Sequence, residues 1–203
     1  MKKQFEALLK ECPVVAILRG ITPGEVPEVC DVLLDAGIRI LEIPLNSPDA
    51  CTSIKIAAEH CAGHQMVGAG TVLTPEDVRN VKAAGGTFII SPNTDPDVIR
   101  ETKACGMLSM PGFFTASEGF TALKAGADYL KMFPAILGPS YVKDLQAVIK
   151  APIFAVGGVN AGNIPDFLKL CAGVGIGSAL YKAGKSLEDI KADAEKIIQS
   201  TGK

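Results

Sequence analysis

Residues 116–134 read ASEGFTALKAGADYLKMFP, and the way this stretch divides decides the fold. Its first ten residues are a helical stretch, and Gly126 stands where a helix can end in the left-handed conformation that glycine adopts without strain. Residues 129–133 then form a short apolar run, closed by Pro134. Helix, glycine, strand is the αβ loop of an alternating chain. The same join recurs at Ala36-Gly37, Ala84-Gly85-Gly86 and Cys105-Gly106. Strands are expected over 14–18, 40–45, 66–72, 88–91, 107–110, 129–133, 153–156 and 174–176. Each is followed by a helical stretch, over 25–36, 53–61, 75–84, 97–104, 116–125, 141–150, 164–170 and 187–198. Such units require a parallel sheet, because crossover helices connect parallel strands, and eight of them closing on themselves make an α/β fold of the (β/α)8 TIM barrel type. The alternative is an open, doubly wound sheet. Against it, no GxGxxG follows the first strand, where VVAILRG runs into Thr22-Pro23.

The 203 residues fit a single domain, 1–203, with an N-terminal helix over 1–12 and a C-terminal helix over 186–203. Hydrophobic residues make up 48% of the chain, which excludes disorder. A net charge of -2 and a pI near 5.7 argue against a nucleic-acid surface. No apolar run approaches the roughly 18 residues of a membrane span. The opening MKKQFEALLKECP has a basic start, but Glu6, Lys10 and Glu11 interrupt any apolar core, so it reads as an amphipathic helix and not a signal peptide. Six scattered cysteines without a CxxC pair fit reduced packing residues of a cytoplasmic protein. His60 and His64 have the spacing of a shared helix face, but Gly63 between them favours a polar helix end over a metal site.

Lys131 is the residue least at home in its surroundings. An ammonium in an apolar strand costs several kcal/mol unless it is paired or loses its proton, and desolvation lowers its pKa. A neutral amine is what attack on a carbonyl to form a Schiff base requires. A lysine snorkelling from a strand end is the bland alternative. Side chains alternate faces along a strand, so Tyr129, Lys131 and Phe133 share one face, and Glu42 lies opposite Leu41 and Ile43. Arg19, Glu42, Thr71 and Lys131 all fall at or near the C-terminal ends of their strands, the end where barrel enzymes build their sites. Glu42 is a general acid/base candidate, with an ion pair to Arg19 or Lys131 as the structural alternative. Gly157-Gly158 after the seventh strand and Gly177-Ser178 after the eighth occupy the places where barrels hold phosphate, although glycine pairs also serve as plain turns.

With these residues assembled, the chain resembles the class I aldolases that cleave 2-keto-3-deoxy-6-phospho sugar acids. The resemblance runs from Val14 to Lys185 and rests on AILRGITP (16–23), EIPLNSP (42–48), GAGTV (68–72), LKMFP (130–134) and FAVGGV (154–159). It implies a (β/α)8 barrel, a homotrimer, no metal or other cofactor, a Schiff-base lysine at Lys131 and a general acid/base at Glu42. Two branches of this family differ in the C4 configuration of the substrate. The 6-phosphogluconate branch typically has Arg where this chain has Asn46, and Thr where it has Val156; the chain resembles the 6-phosphogalactonate branch. Arg19 is then the candidate partner of the substrate carboxylate, since a guanidinium binds a carboxylate bidentately. Thr71 and the backbone near Pro92 complete the pyruvate end, Phe133 either walls the substrate or fills the core, and Gly157, Gly158, Gly177 and Ser178 hold the phosphate. The implied reaction is cleavage of 2-dehydro-3-deoxy-6-phospho-D-galactonate to pyruvate and D-glyceraldehyde 3-phosphate, with neither nucleic acid nor membrane as partner. The gluco epimer or dual specificity is the near alternative. A phosphosugar-binding or phosphosugar-sensing barrel without Schiff-base chemistry is the alternative outside the class.

Overall fold

The computed structural model describes residues 1–202; Lys203, the last residue of the expected C-terminal helix, lies outside the described residues. The strands are β1 (Val14–Ile17), β2 (Ile40–Pro44), β3 (Met66–Gly70), β4 (Phe88–Ile90), β5 (Leu108–Met110), β6 (Gly112–Phe113), β7 (Leu130–Met132), β8 (Ile153–Val156) and β9 (Gly173–Ile176). The helices are α1 (Lys2–Glu11), α2 (Val26–Asp35), α3 (Ala50–His60), α4 (Pro75–Ala83), α5 (Pro96–Ala104), α6 (Ala116–Ala125), α7 (Gly138–Val148), α8 (Ile164–Leu168) and α9 (Leu187–Ser200). Every strand pairing is parallel, in the order β5-β4-β3-β2-β1-β9-β8-β7-β6.

Nine strands stand where eight were expected, and Pro111 is the reason. Proline has no N–H to give a ladder, so it splits one staff into β5, which pairs with β4, and β6, which pairs with β7. The Pro111 carbonyl still accepts from Lys131 N at 2.9 Å. The two ends of the sheet are therefore joined through one residue, and the barrel closes.

Local signals set the helix ends. Thr74 with Asp77 and Thr115 with Glu118 form capping boxes at the starts of α4 and α6. Gly126 ends α6 at φ +105°, and Gly37, Gly85 and Gly106 after α2, α4 and α5 also have positive φ. The expected αβ joins are thus present. The core has two shells. Val14, Ala16, Leu41, Ile43, Leu130 and Met132 pack between strands and helices. Val15, Ile17, Ile40, Phe88, Tyr129, Phe154 and Val156 fill the barrel interior. Phe5 of α1 enters this interior, its ring 5.1 Å from Tyr129 and 5.6 Å from Phe88. Since α1 precedes β1, it plugs the N-terminal end and leaves the opposite mouth open.

Among the described residues the cysteines form no disulfide. α3 ends at His60, whose Nε2 lies 2.7 Å from Asp31, and Gly63 turns the chain at φ +84°. Among the described residues no helix is long and apolar enough to cross a membrane.

Candidate active site

The shells fix which strand residues face inward. Leu41 and Ile43 lie in the outer shell, so Glu42 between them faces the interior; Leu130 and Met132 likewise leave Lys131 on the inner face. Lys131 is 4% exposed and Glu42 2%. Glu42 fits because Gly70 lies beside it on β3: a Cβ there would come within 1.6 Å of the Glu42 Oε1 atom. Among the described residues Glu42 makes no ion pair, with Arg19, Lys131 or any other cation. It acts on both through its field instead.

Burial pushes the Glu42 carboxyl above the usual carboxylate range, against the opposing pull of the Lys131 and Arg19 charges. It pushes Lys131 below the usual lysine range; the Glu42 charge opposes that shift and the Arg19 charge adds to it. Both groups are driven toward their uncharged forms, an amine with a free lone pair and a carboxyl able to give a proton. These are the two protonation states with which addition of an amine to a ketone begins.

A cavity of about 530 Å³ opens at the C-terminal mouth over one half of the barrel. Its wall includes Arg19 after β1, Lys131 and Phe133 on and after β7, Val156, Gly157 and Gly158 at the end of β8, and Gly177 and Ser178 after β9. Phe133 does not fill the core: it is 36% exposed and walls the cavity, with Lys131 Nζ 4.9 Å from its ring centre. Gly157 and Gly158 turn at φ +88° and +79°, a region in which only glycine is relaxed. Asn163 holds this turn by donating to the Gly158 carbonyl at 2.9 Å. Thr71 and Pro92 stand at the same end of the barrel, after β3 and β4, but across the mouth from this cavity and outside its wall. Thr71 has φ +54°, a strained conformation for a β-branched residue.

The lining also includes residues absent from the sequence-based set, among them the polar Asn160, Tyr181 and Lys182. Lys182 follows a turn in which Leu180 N and Tyr181 N both donate to the Gly177 carbonyl, at 2.8 and 3.0 Å. Its cation stands on the wall shared with Ser178. The signal for it was one lysine five residues past a glycine-ended strand, which a solvated helix start would carry equally well.

A closed parallel barrel with a buried lysine on the wall of its open cavity, and a buried glutamate on the inner face outside that wall, defines a barrel enzyme of the carbonyl-chemistry kind. The family model for KDPG and KHG aldolases matches residues 5–199, and the chain belongs to that family. It is 44% identical over 192 residues to the 2-dehydro-3-deoxy-6-phosphogalactonate aldolase of Escherichia coli K12, covering 93% of this chain and 94% of the relative. A native KDPGal structure matches with a TM-score of 0.91 at 43% identity, covering 94% of each chain. The KDPG aldolase of Legionella pneumophila, solved with pyruvate captured as a covalent carbinolamine, matches with a TM-score of 0.84 at 25% identity over 99% of this chain and 98% of that one. The protein is thus an aldolase, a carbon–carbon lyase.

Proposed function

We propose that this aldolase cleaves 2-dehydro-3-deoxy-6-phospho-D-galactonate to pyruvate and D-glyceraldehyde 3-phosphate through a Schiff base on Lys131. The observation that carries the chemistry is a lysine only 4% exposed, facing a cavity, with its charged form disfavoured by burial. The neutral Nζ adds to the C2 ketone, and the carbinolamine loses water to an iminium. That cation draws the electrons of the C3–C4 bond as it breaks, while Glu42 takes the C4 hydroxyl proton, directly or through a water. The aldehyde leaves, the enamine is protonated at C3, and water releases pyruvate and regenerates the amine. Arg19 faces the carboxylate from the cavity wall, and Thr71 and the backbone near Pro92 complete the pyruvate end from across the mouth. Gly157, Gly158, Gly177 and Ser178 hold the phosphate, and Lys182 supplies a cation on the same wall. Binding energy from the phosphate positions the reacting carbons.

The galacto epimer is favoured by the 43–44% identity to proteins of that name against 25% to the KDPG aldolase described above. Valine at 156, where the cavity passes from Lys131 to the glycine pair, supports the same choice. A homotrimer is supported by apolar side chains left on the surface, Ile136 at 71% exposed and Leu73, Phe120 and Leu137 near half. Cysteines that form no disulfide support a reducing, cytoplasmic setting.

Borohydride reduction in the presence of pyruvate tests the chemistry. Peptide mapping is expected to place the added mass on Lys131, and an adduct on any other lysine, or none, overturns the reading. Measuring kcat/KM for both C4 epimers tests the substrate, and a higher value for the gluco compound overturns that choice.

A further inference from the structure

The loops that leave β1 and β2 are tied together residue by residue. Arg19 donates from a guanidinium nitrogen to Asn46 Oδ1 at 3.2 Å, and Gly20 N donates to Ser47 Oγ at 2.9 Å. Two consecutive residues of one loop are thus bonded to two consecutive residues of the next. Gly20 has φ +88°, so the turn that presents Arg19 depends on a residue without a Cβ. Ser47 is buried and anchors the pair, while Arg19 and Asn46 are exposed at the mouth.

An exposed arginine is flexible, and a flexible cation loses rotamer freedom when it grips an anion. A hydrogen bond that already limits its rotamers reduces that loss. The chemistry of the acceptor matters as much as its place. An aspartate at 46 would hold the guanidinium too, but its charge would cancel that of Arg19 before a ligand arrived. An asparagine holds it and leaves the charge in full. One N–H of the five in a guanidinium is used in this way, and the remaining donors can form a bidentate pair with a carboxylate.

We propose that Asn46 is a positioning residue for the reaction, holding the Arg19 guanidinium at the cavity mouth so that it meets the carboxylate of the bound keto acid. The proposal rests on the Schiff-base reading above. Asn46 acts through Arg19, not on the substrate. It therefore bears on the pyruvate end of the cavity and leaves the phosphate end alone.

The test is a double-mutant cycle on the pyruvate concentration that half-saturates borohydride trapping of the intact protein. Asn46→Ala is expected to raise that concentration about 2- to 12-fold, the range of one net hydrogen bond, with little change in the limiting trapping rate. In an Arg19→Ala background the same substitution is expected to do nothing further. Half-saturation by glyceraldehyde 3-phosphate, in the synthetic direction, is expected to be unmoved, which a general loosening of the two loops would not allow. Asn46→Asp is expected to bind pyruvate no better than Asn46→Ala. An Asn46→Ala effect retained in the Arg19→Ala background, an equal loss for the aldehyde, wild-type-like affinity in Asn46→Asp, or no effect of Asn46→Ala would each overturn the proposal. If wild-type protein takes up no pyruvate mass at all, the Schiff-base reading has failed and this one falls with it. Trapping by wild type with no shift in the variant removes Asn46 alone.

Discussion

Lys131 and Glu42 illustrate how one buried environment shifts an acid and a base in opposite directions. Desolvation penalises whichever form is charged, so it lowers the amine and raises the carboxyl, and the residual attraction between them is too weak to reverse either shift. The lysine shift has a consequence for stability. Its native value lies below the ordinary 10.5, so between the two values the unfolded chain binds more protons, and stability rises with pH. Burying the ammonium costs most below the native value, and the cost disappears above 10.5. Lys131→Met is expected to abolish turnover and to raise stability at neutral pH, with the gain shrinking as the pH approaches 10.5. Denaturant titrations at a neutral and an alkaline pH check this, and a gain that does not shrink would show that charge burial is not the cause. Glu42→Gln keeps the shape and removes the proton carrier, so kcat is expected to drop by about 10²–10⁴-fold. An unchanged kcat would reduce Glu42 to a structural role.

Within the strands, alternation made the inward residues legible from sequence. A period of two places Lys131 with Tyr129, and Glu42 opposite Leu41, whatever the rest of the chain does. Glycines give no such signal, because a missing side chain can mark a turn, a bulge or a wall. Gly68 and Gly70 sit inside β3, and each leaves space for a neighbour: a Cβ at 68 would lie 2.4 Å from the Phe88 ring, and one at 70 would meet the Glu42 carboxylate. Gly173 and Gly175 do the same on β9, for Phe154 and Val156, while Gly175 and Gly177 also line the cavity. Two substitutions on one strand should therefore behave differently. Gly70→Ala is expected to displace the Glu42 carboxylate and lower kcat by about 10²-fold, the cost of misplacing a reacting group by about 1 Å. Gly68→Ala overpacks an interior aromatic and should cost about 1–3 kcal/mol of stability instead. Rates and denaturation midpoints of both variants decide the matter, and equal effects on the two readouts would contradict the division.

Closure of the barrel produces what no single segment predicts. Pro111 reads in sequence only as the end of a short strand, yet it lets β5 and β6 serve two different neighbours and so joins the sheet into a ring. Closure also brings the exit of β9, with Ser178 and Lys182, beside the exits of β1 and β8, which is why Lys182 carried no decisive signal in sequence. The ring then has two unlike ends. At one, strand C-termini surround the cavity; at the other, α1 inserts Phe5 among Phe88, Tyr129 and Phe154. Phe5 is buried and far along the barrel axis from Arg19 and Phe133, so its work is packing. Phe5→Ala leaves a cavity among three rings and is expected to cost about 3–5 kcal/mol of stability. Below the unfolding transition, kcat/KM per folded molecule should stay within about a factor of two of wild type, because barrel enzymes keep stability and chemistry at opposite ends. Denaturant melts paired with kinetics well below the midpoint test the separation. A loss of kcat/KM comparable with that of Gly70→Ala, in protein that is still folded, would mean that the plug sets the geometry of the mouth as well as the stability of the barrel.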